Sequence, residues 1–319
     1  MKKFLSFITL LFMMLIFHNE VINGVKDGLI LWYQTLIPAL LPFIIITNAL
    51  SETHSYEIIV SLIGNHFTNI YVIITFILGN LCGYPIGGKI MNDFVEQGYI
   101  SPDNANSFLS VSSQASPMFL LGFVYPMLKQ TAIPLYIFLL LIYIPTIILF
   151  IYKYTLYSYQ YKKNNIPSTI KSVTLCSDNK LYSSSKNIDH QSAANLTNTF
   201  LHAVNIMVII GIYVIIFSVL QSVIFPLTHS ILSKCVLSFL EITTGLYRIQ
   251  HMPLSENIYT CLILSLSSFG GLCSAFQIDG VLTYKDSTIK KYLQDKIILS
   301  TGTFLLTYLY MILRFSSPS

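Results

Sequence analysis

Of 319 residues, 54% are hydrophobic and only 10% charged, where a soluble domain carries about 25% charged residues; a polytopic membrane protein is expected. The formal net charge of +4 sits in short connecting segments, without the basic stripe and stacked aromatics of a nucleic-acid binder. Cys82, Cys176, Cys235, Cys261 and Cys273 include no C-x-x-C pair, so neither a disulfide framework nor a zinc site is indicated, and no cofactor or metal is expected.

Lys2 and Lys3 precede an apolar run from Phe4 to Phe17 with no A-x-A-like cleavage site after it. An uncleaved first membrane helix, ended by His18-Asn19-Glu20, is expected rather than a removed signal. A second span covers about Leu29 to Leu50 and should kink at Pro38 and Pro42, because each proline removes a backbone donor and crowds the preceding turn. Ser51 to Asn69, with His54, Glu57 and His66 among aliphatics, suits a short interfacial helix. Apolar sequence resumes at Ile70 but meets Gly79-Asn80-Leu81-Cys82-Gly83-Tyr84-Pro85-Ile86-Gly87-Gly88-Lys89 well before the about 20 residues that span a bilayer. Backbone broken by Gly and Pro at membrane depth survives only where protein buries it or a wet cavity meets it; in transporters, such breaks bind the substrate. Residues 86–97 are amphipathic, with Gly98 as a C-cap. Ser101-Pro102-Asp103 starts a helix that reaches about Val111. A second polar break, Ser112 to Pro117, separates it from the apolar runs Met118 to Leu128 and Ile133 to Tyr152.

Residues 153–196 turn polar and rich in Ser, Asn and Tyr, with Lys153, Lys162, Lys163, Lys171, Lys180 and Lys186 against Asp178 and Asp189. Such lysines belong on the cytoplasmic side with Lys2 and Lys3, so an even number of crossings should precede them. The chain then divides into a first membrane half (1–152), a cytoplasmic linker (153–196) and a second membrane half (197–319). The second half offers a span from about Phe200 to Phe225 and a shorter one from Ile231, ending in Glu241-Ile242-Thr243-Thr244-Gly245. An apolar stretch from Ile258 to Leu266 is broken over Ser267 to Gln277, and the last span is Ile297 to Leu313. Gly79-Asn80-Leu81-Cys82 and Gly270-Gly271-Leu272-Cys273 follow comparable short apolar runs, the pattern of an internal repeat around a midplane site; small residues serving close helix packing would give the same match. The expected fold is all-α, with two repeats that each carry broken or re-entrant helices.

At Gly83-Tyr84-Pro85-Ile86-Gly87-Gly88-Lys89, Glu96-Gln97-Gly98 and Ser112 to Pro117, the chain resembles the YlbJ-type sporulation integral membrane proteins. These are the stage V sporulation protein V type of the nucleoside recognition or Gate-domain superfamily. Glu241 to Gly245, Gly270-Gly271 and Gln277 resemble the family's second-half signatures, and the likeness runs from about Gly28 to Leu313. Two departures stand out: Gly88 where alanine is common, and Ser113-Gln114-Ala115-Ser116-Pro117 where asparagine and glycine are expected. The resemblance implies a carrier similar to concentrative nucleoside transporters, with two facing re-entrant hairpins. In endospore formers it implies movement of dipicolinic acid from the mother cell across the outer forespore membrane.

A dicarboxylate with a flat ring needs N–H or cationic donors and an apolar slot, and half-helix N-termini and Gly-exposed amides at Gly83, Gly87, Gly270 and Gly271 would supply donors. Lys89 either adds a charge there or pairs with Asp93 and snorkels. Asn80, Ser112, Ser113, Gln114 and Ser116 either contact the solute or satisfy backbone groups freed at the breaks, and Pro85 stands among the residues of the first break. Glu241 either binds a coupling proton or cation beside Thr243 and Thr244, or ends a helix near water with Arg248 as its partner. Tyr84 stacks on a ring or packs, and Gln277 completes the set. With no H-E-x-x-H or G-x-S-x-G, no enzyme is expected. The expected function is transport of a small organic anion, dipicolinate foremost, in a bacterial cell membrane. The alternatives are a nucleoside or nucleobase carrier and a non-transporting scaffold of the spore envelope. The lipid bilayer is the other partner, and a homo-oligomer is compatible with the pattern.

Overall fold

The computed structural model describes residues 8, 11–12, 14–52, 69–128, 131, 133–163, 188–284 and 288–316, without the side chains of 50–52, 162–163, 188–199, 288 and 315–316. The expected interfacial helix over 51–69 and most of the linker, including Cys176, lie outside the described residues, as does much of Phe4 to Phe17. All regular structure among the described residues is helical. Five helices are long and apolar enough to cross a membrane, over His18–Ala49, Leu135–Tyr161, Phe200–Leu227, Glu256–Val281 and Ile289–Arg314. This is the make-up of a polytopic membrane protein.

The first of these crossings begins earlier than the sequence suggests. Helix α1 (His18–Leu31) leads through a π-helical turn, Trp32–Leu36, into α2 (Ile37–Glu52). His18 to Gly28 therefore forms helix, not the connection expected there. The polar residues Asn19, Glu20, Asn23, Lys26 and Asp27 hid it; tertiary packing holds it, and the Trp32 indole N–H donates to Met207 O at 2.9 Å. The strain expected from Pro38 is met by the widened π turn just before it, and the same device, Leu120–Val124, precedes Pro126.

Helix α3 (Ile70–Cys82) has 13 residues, about 20 Å at about 1.5 Å per residue, short of an about 30 Å hydrocarbon core. Asn69 caps it by accepting from Tyr71 N. After Gly83-Tyr84-Pro85 the chain continues as α4 (Ile86–Glu96), whose C-cap is Gln97; Gly98, the expected cap, follows one residue on in the left-handed region at φ 77°. Helix α5 (Pro102–Phe108) starts after Ser101, whose side chain makes no cap bond. An irregular stretch leads to α6 (Pro117–Met127).

Helices α7 (Leu135–Lys163) and α8 (Ile188–Ile224) run into the expected linker from both sides, so Lys153 is a helix residue and not a linker lysine. After them come α9 (Ile231–Ser238), α10 (Ile242–Gln250), α11 (Glu256–Phe269), α12 (Gly271–Val281) and α13 (Thr288–Ser316). The α11–α12 crossing is the central one: 78% of its apolar window is buried, against 22–39% in the other four. Exposed Leu and Ile such as Ile297, Leu305 and Leu313 cover the outside of α13, the surface a bilayer requires.

Candidate functional site

Two helix breaks of the first half meet. The α3–α4 break carries Gly83 at φ 86° and a cis Tyr84–Pro85 peptide, and Tyr84 N donates to Gln114 O at 3.2 Å. The approach is closest at Ser112, whose carbonyl oxygen lies 2.0 Å from where a Cβ on either Gly79 or Gly87 would stand. Only glycine fits at those positions. Asn80 serves the freed backbone: its Nδ2 donates to Phe76 O at 2.6 Å and Val111 O at 2.9 Å. Ser116 Oγ caps α6 by accepting from Phe119 N at 3.2 Å, and Gln114 Nε2 donates to Thr146 Oγ1 at 3.0 Å.

Two breaks of the second half meet in the same manner. The α11–α12 break is narrow: Ser267 and Ser268 remain helical, and only Gly270 interrupts, with φ 86°, followed by Gly271 at φ 80°. A polar run over Ser267 to Gln277 looked wider, yet helix α12 resumes at once because its first amides find partners outside it. Leu272 N donates to Phe239 O at 2.8 Å and Cys273 N to Leu240 O at 2.9 Å. Directly after those carbonyls, Glu241 is the N-cap of α10. Its Oε2 accepts from Thr244 N at 2.7 Å, Thr243 Oγ1 at 2.7 Å and Thr244 Oγ1 at 2.8 Å. All three bonds fall on Oε2.

Glu241 is 1% exposed, so the reading in which it ends a helix near water does not hold. Nor is Arg248 its partner: the guanidinium donates to Ser222 Oγ at 2.8 Å and lies over Phe225. The expected free amides at the breaks are also largely engaged, since Gly83 N donates to Gly79 O, Gly87 N to Gly83 O and Gly270 N to Leu266 O. Lys89 is turned to Asn48 Oδ1 at 2.7 Å and to Asp93 at 3.5 Å, on the far side of α4 from Gly87's contact with Ser112.

The two pairs of breaks face one another. The Tyr84 ring lies 3.2 Å from the Cβ position of Gly270, and a crevice between them is lined by Tyr84, Glu241, Gly270, Cys273, Ser274 and Gln277, closed by Leu36 of the π turn, Leu40 of α2 and Ile210 and Val214 of α8. Its space is about 10 Å³, room for about one water, so a ring-sized solute enters only after the helices part. Gln277 Nε2 reaches Cys273 Sγ at 3.3 Å. Another joint between the halves is Asn92 Oδ1, which accepts from Thr283 N at 2.8 Å and Thr283 Oγ1 at 2.9 Å.

Two charged residues near the first-half break were not singled out from the sequence. Lys296, 0% exposed, donates to Ser113 O at 2.6 Å and Gln114 Oε1 at 3.0 Å. Its neighbour Asp295 pairs with Lys153 and accepts from Ser110 Oγ at 2.6 Å. Lys296 stands one residue before the expected last span, where a charge reads as the edge of the membrane; α13 instead carries it inside. No protein-family model, curated protein or solved structure matches the chain.

Proposed function

We propose that the chain is a membrane carrier of a small organic solute, bound where the four helix breaks converge on Glu241. The observation that carries this is a buried carboxylate with one oxygen bonded three times and the other free, set at a crevice between breaks from opposite halves. Ionisable groups buried in membrane helices are costly and mark solute or ion pathways. Glu241 is the site of a coupling proton or cation, with Thr243 and Thr244 holding its carboxylate in place. The crossed breaks support two re-entrant hairpins, α3–α4 and α9–α10, and a repeat register unlike the Gly79/Gly270 match. In it, α3–α4 answers to α9–α10, and α5–α6 to α11–α12, with Ser101 and Ser255 in equivalent N-cap places.

The likeness to the YlbJ-type sporulation proteins favours an organic anion, with dipicolinate its first candidate and the forespore outer membrane its location. A second reading, a nucleoside or nucleobase, is favoured by the polar lining of the crevice itself: Glu241, Ser274 and Gln277 offer hydrogen bonds and no cation. Uptake into liposomes holding the purified protein decides between them. Saturable dipicolinate flux that uridine does not compete with supports the first; uridine flux indifferent to dipicolinate supports the second; flux of neither under proton or sodium gradients contradicts the carrier reading.

A further inference from the structure

Of the acidic and basic side chains among the described residues, three are buried: Glu241, Asp295 and Lys296. Asp295 is matched by Lys153 and Ser110. Asp295, next to Lys296 in the chain, is thus already paired, and among the described residues neither Lys296 nor Glu241 has an opposite charge within 4.0 Å. They are opposite in sign and stand at opposite breaks, Lys296 against Ser113 and Gln114 of the first half, Glu241 against the α11–α12 break of the second. What lies between them is aromatic and hydroxylic: the Lys296 ammonium is 5.6 Å from the centre of the Tyr292 ring, Tyr292 Oη is 3.5 Å from Ser274 Oγ, and Ser274 lines the crevice with Tyr84 and Glu241.

An ammonium bonded only to carbonyl oxygens in a dry interior has no counter-charge in direct contact with it. Beside it, the hydroxyls of Ser112 and Ser113 are buried and have no hydrogen-bond partner, a condition that native interiors rarely leave without cause. The Ser113 hydroxyl faces Gly87, at 2.9 Å from its Cβ position, so it lies at the α3–α4 break and not in a remote packing layer.

We propose that these two charges are the ends of the solute site: Lys296, helped by the Ser113 hydroxyl, receives a carboxylate, and Glu241 receives an N–H or O–H donor at the solute's other end. The ligand class is a flat ring bearing a single carboxylate and, opposite it, a hydrogen-bond donor, with Tyr84 and Tyr292 along its faces. In this closed arrangement, Ser113 O and Gln114 Oε1 occupy the place of the carboxylate, and the Gln114 side chain turns away on binding. A ring with two ionised carboxylates fits worse, because the second would meet Glu241. This assignment rests on the carrier reading but is tested by binding alone.

The test uses the full-length protein in lipid nanodiscs and three probes: para-aminobenzoate, para-aminobenzamide and benzoate. Wild-type protein is expected to bind para-aminobenzoate about tenfold or more tighter than the uncharged amide, a desolvated charge pair being worth at least that much. Lys296→Met should erase this preference and Lys296→Arg keep it, while Glu241→Gln should keep it but weaken the preference for para-aminobenzoate over benzoate. Equal wild-type affinity for acid and amide overturns the proposal without recourse to any variant, as does failure to bind all three, or a monodisperse Lys296→Met protein that still prefers the acid. If binding behaves as expected and no solute crosses liposomes, the site stands and the carrier reading falls.

Discussion

At Glu241 a single side chain does two jobs that substitution separates. As an N-cap it satisfies Thr244 N and two hydroxyls; as a carboxylate it is a buried charge beside the crevice. Glu241→Gln keeps an oxygen acceptor in place and should fold with a melting temperature close to wild type, yet lose flux. Glu241→Ala removes the cap, at about 0.5–2 kcal/mol, and should lower the melting temperature as well; equal melting of the two variants would count against the capping role. Asp295 and Lys153 form a second residue-scale case. Their side chains are 11–12% exposed, so breaking the pair by Asp295→Ala leaves a mostly buried ammonium and should cost about 3–5 kcal/mol, whereas Asp295→Leu with Lys153→Met should recover much of it. Thermal unfolding in detergent of the single and double variants measures this. Glu241 was legible in the sequence because a lone acid interrupted apolar residues. Lys296 was not, because its partners lie 182–183 residues away and its local neighbours Lys290, Lys291 and Asp295 look like a water-facing helix end.

Among elements, the breaks are held by carbonyl oxygens that tolerate no Cβ. Gly87→Ala must push the Ser112 backbone from a 2.0 Å approach and should abolish the monodisperse protein or sharply reduce its yield. Gly122→Ala meets nothing within 4 Å and should leave yield and melting unchanged or slightly raised. Size-exclusion profiles of the two variants check the contrast; a well-behaved Gly87→Ala protein would show that the α3–α4 break does not cross Ser112 as described. Glycine and proline clusters made the existence of these breaks readable. Which break meets which was not readable, since the Gly79 and Gly270 segments look alike in composition. Each nonetheless takes its backbone partner from its own half, Gln114 for one and Phe239 and Leu240 for the other. Helix ends were blurred for a related reason: polar residues in α1 and the start of α13 are compatible with helix once another helix covers them, and a local pattern carries no record of that cover.

Over the whole molecule, hydropathy was enough to identify a polytopic membrane protein, because about 20 apolar residues per crossing is a constraint of the bilayer and not of the fold. By the positive-inside rule, the lysines of residues 153–196 are expected on the cytoplasmic side, a proposal that labelling can test. Cys176 reports on it, because Cys82, Cys235, Cys261 and Cys273 are buried: a membrane-impermeant thiol reagent should label Cys176 in inverted vesicles and leave intact cells unlabelled, and the opposite pattern would reverse the topology. On the proposed carrier reading, the closed crevice, with space for about one water, has to open by parting of the two sets of crossed breaks. The central claim is that solute passes where they meet, at Glu241. Its most direct test is counterflow of dipicolinate, of uridine and of para-aminobenzoate in liposomes holding wild-type protein or Glu241→Gln at matched reconstitution. The account predicts saturable counterflow of one solute through wild-type protein and a loss of about tenfold or more in the variant; equal counterflow through both, or none through wild type, would contradict it.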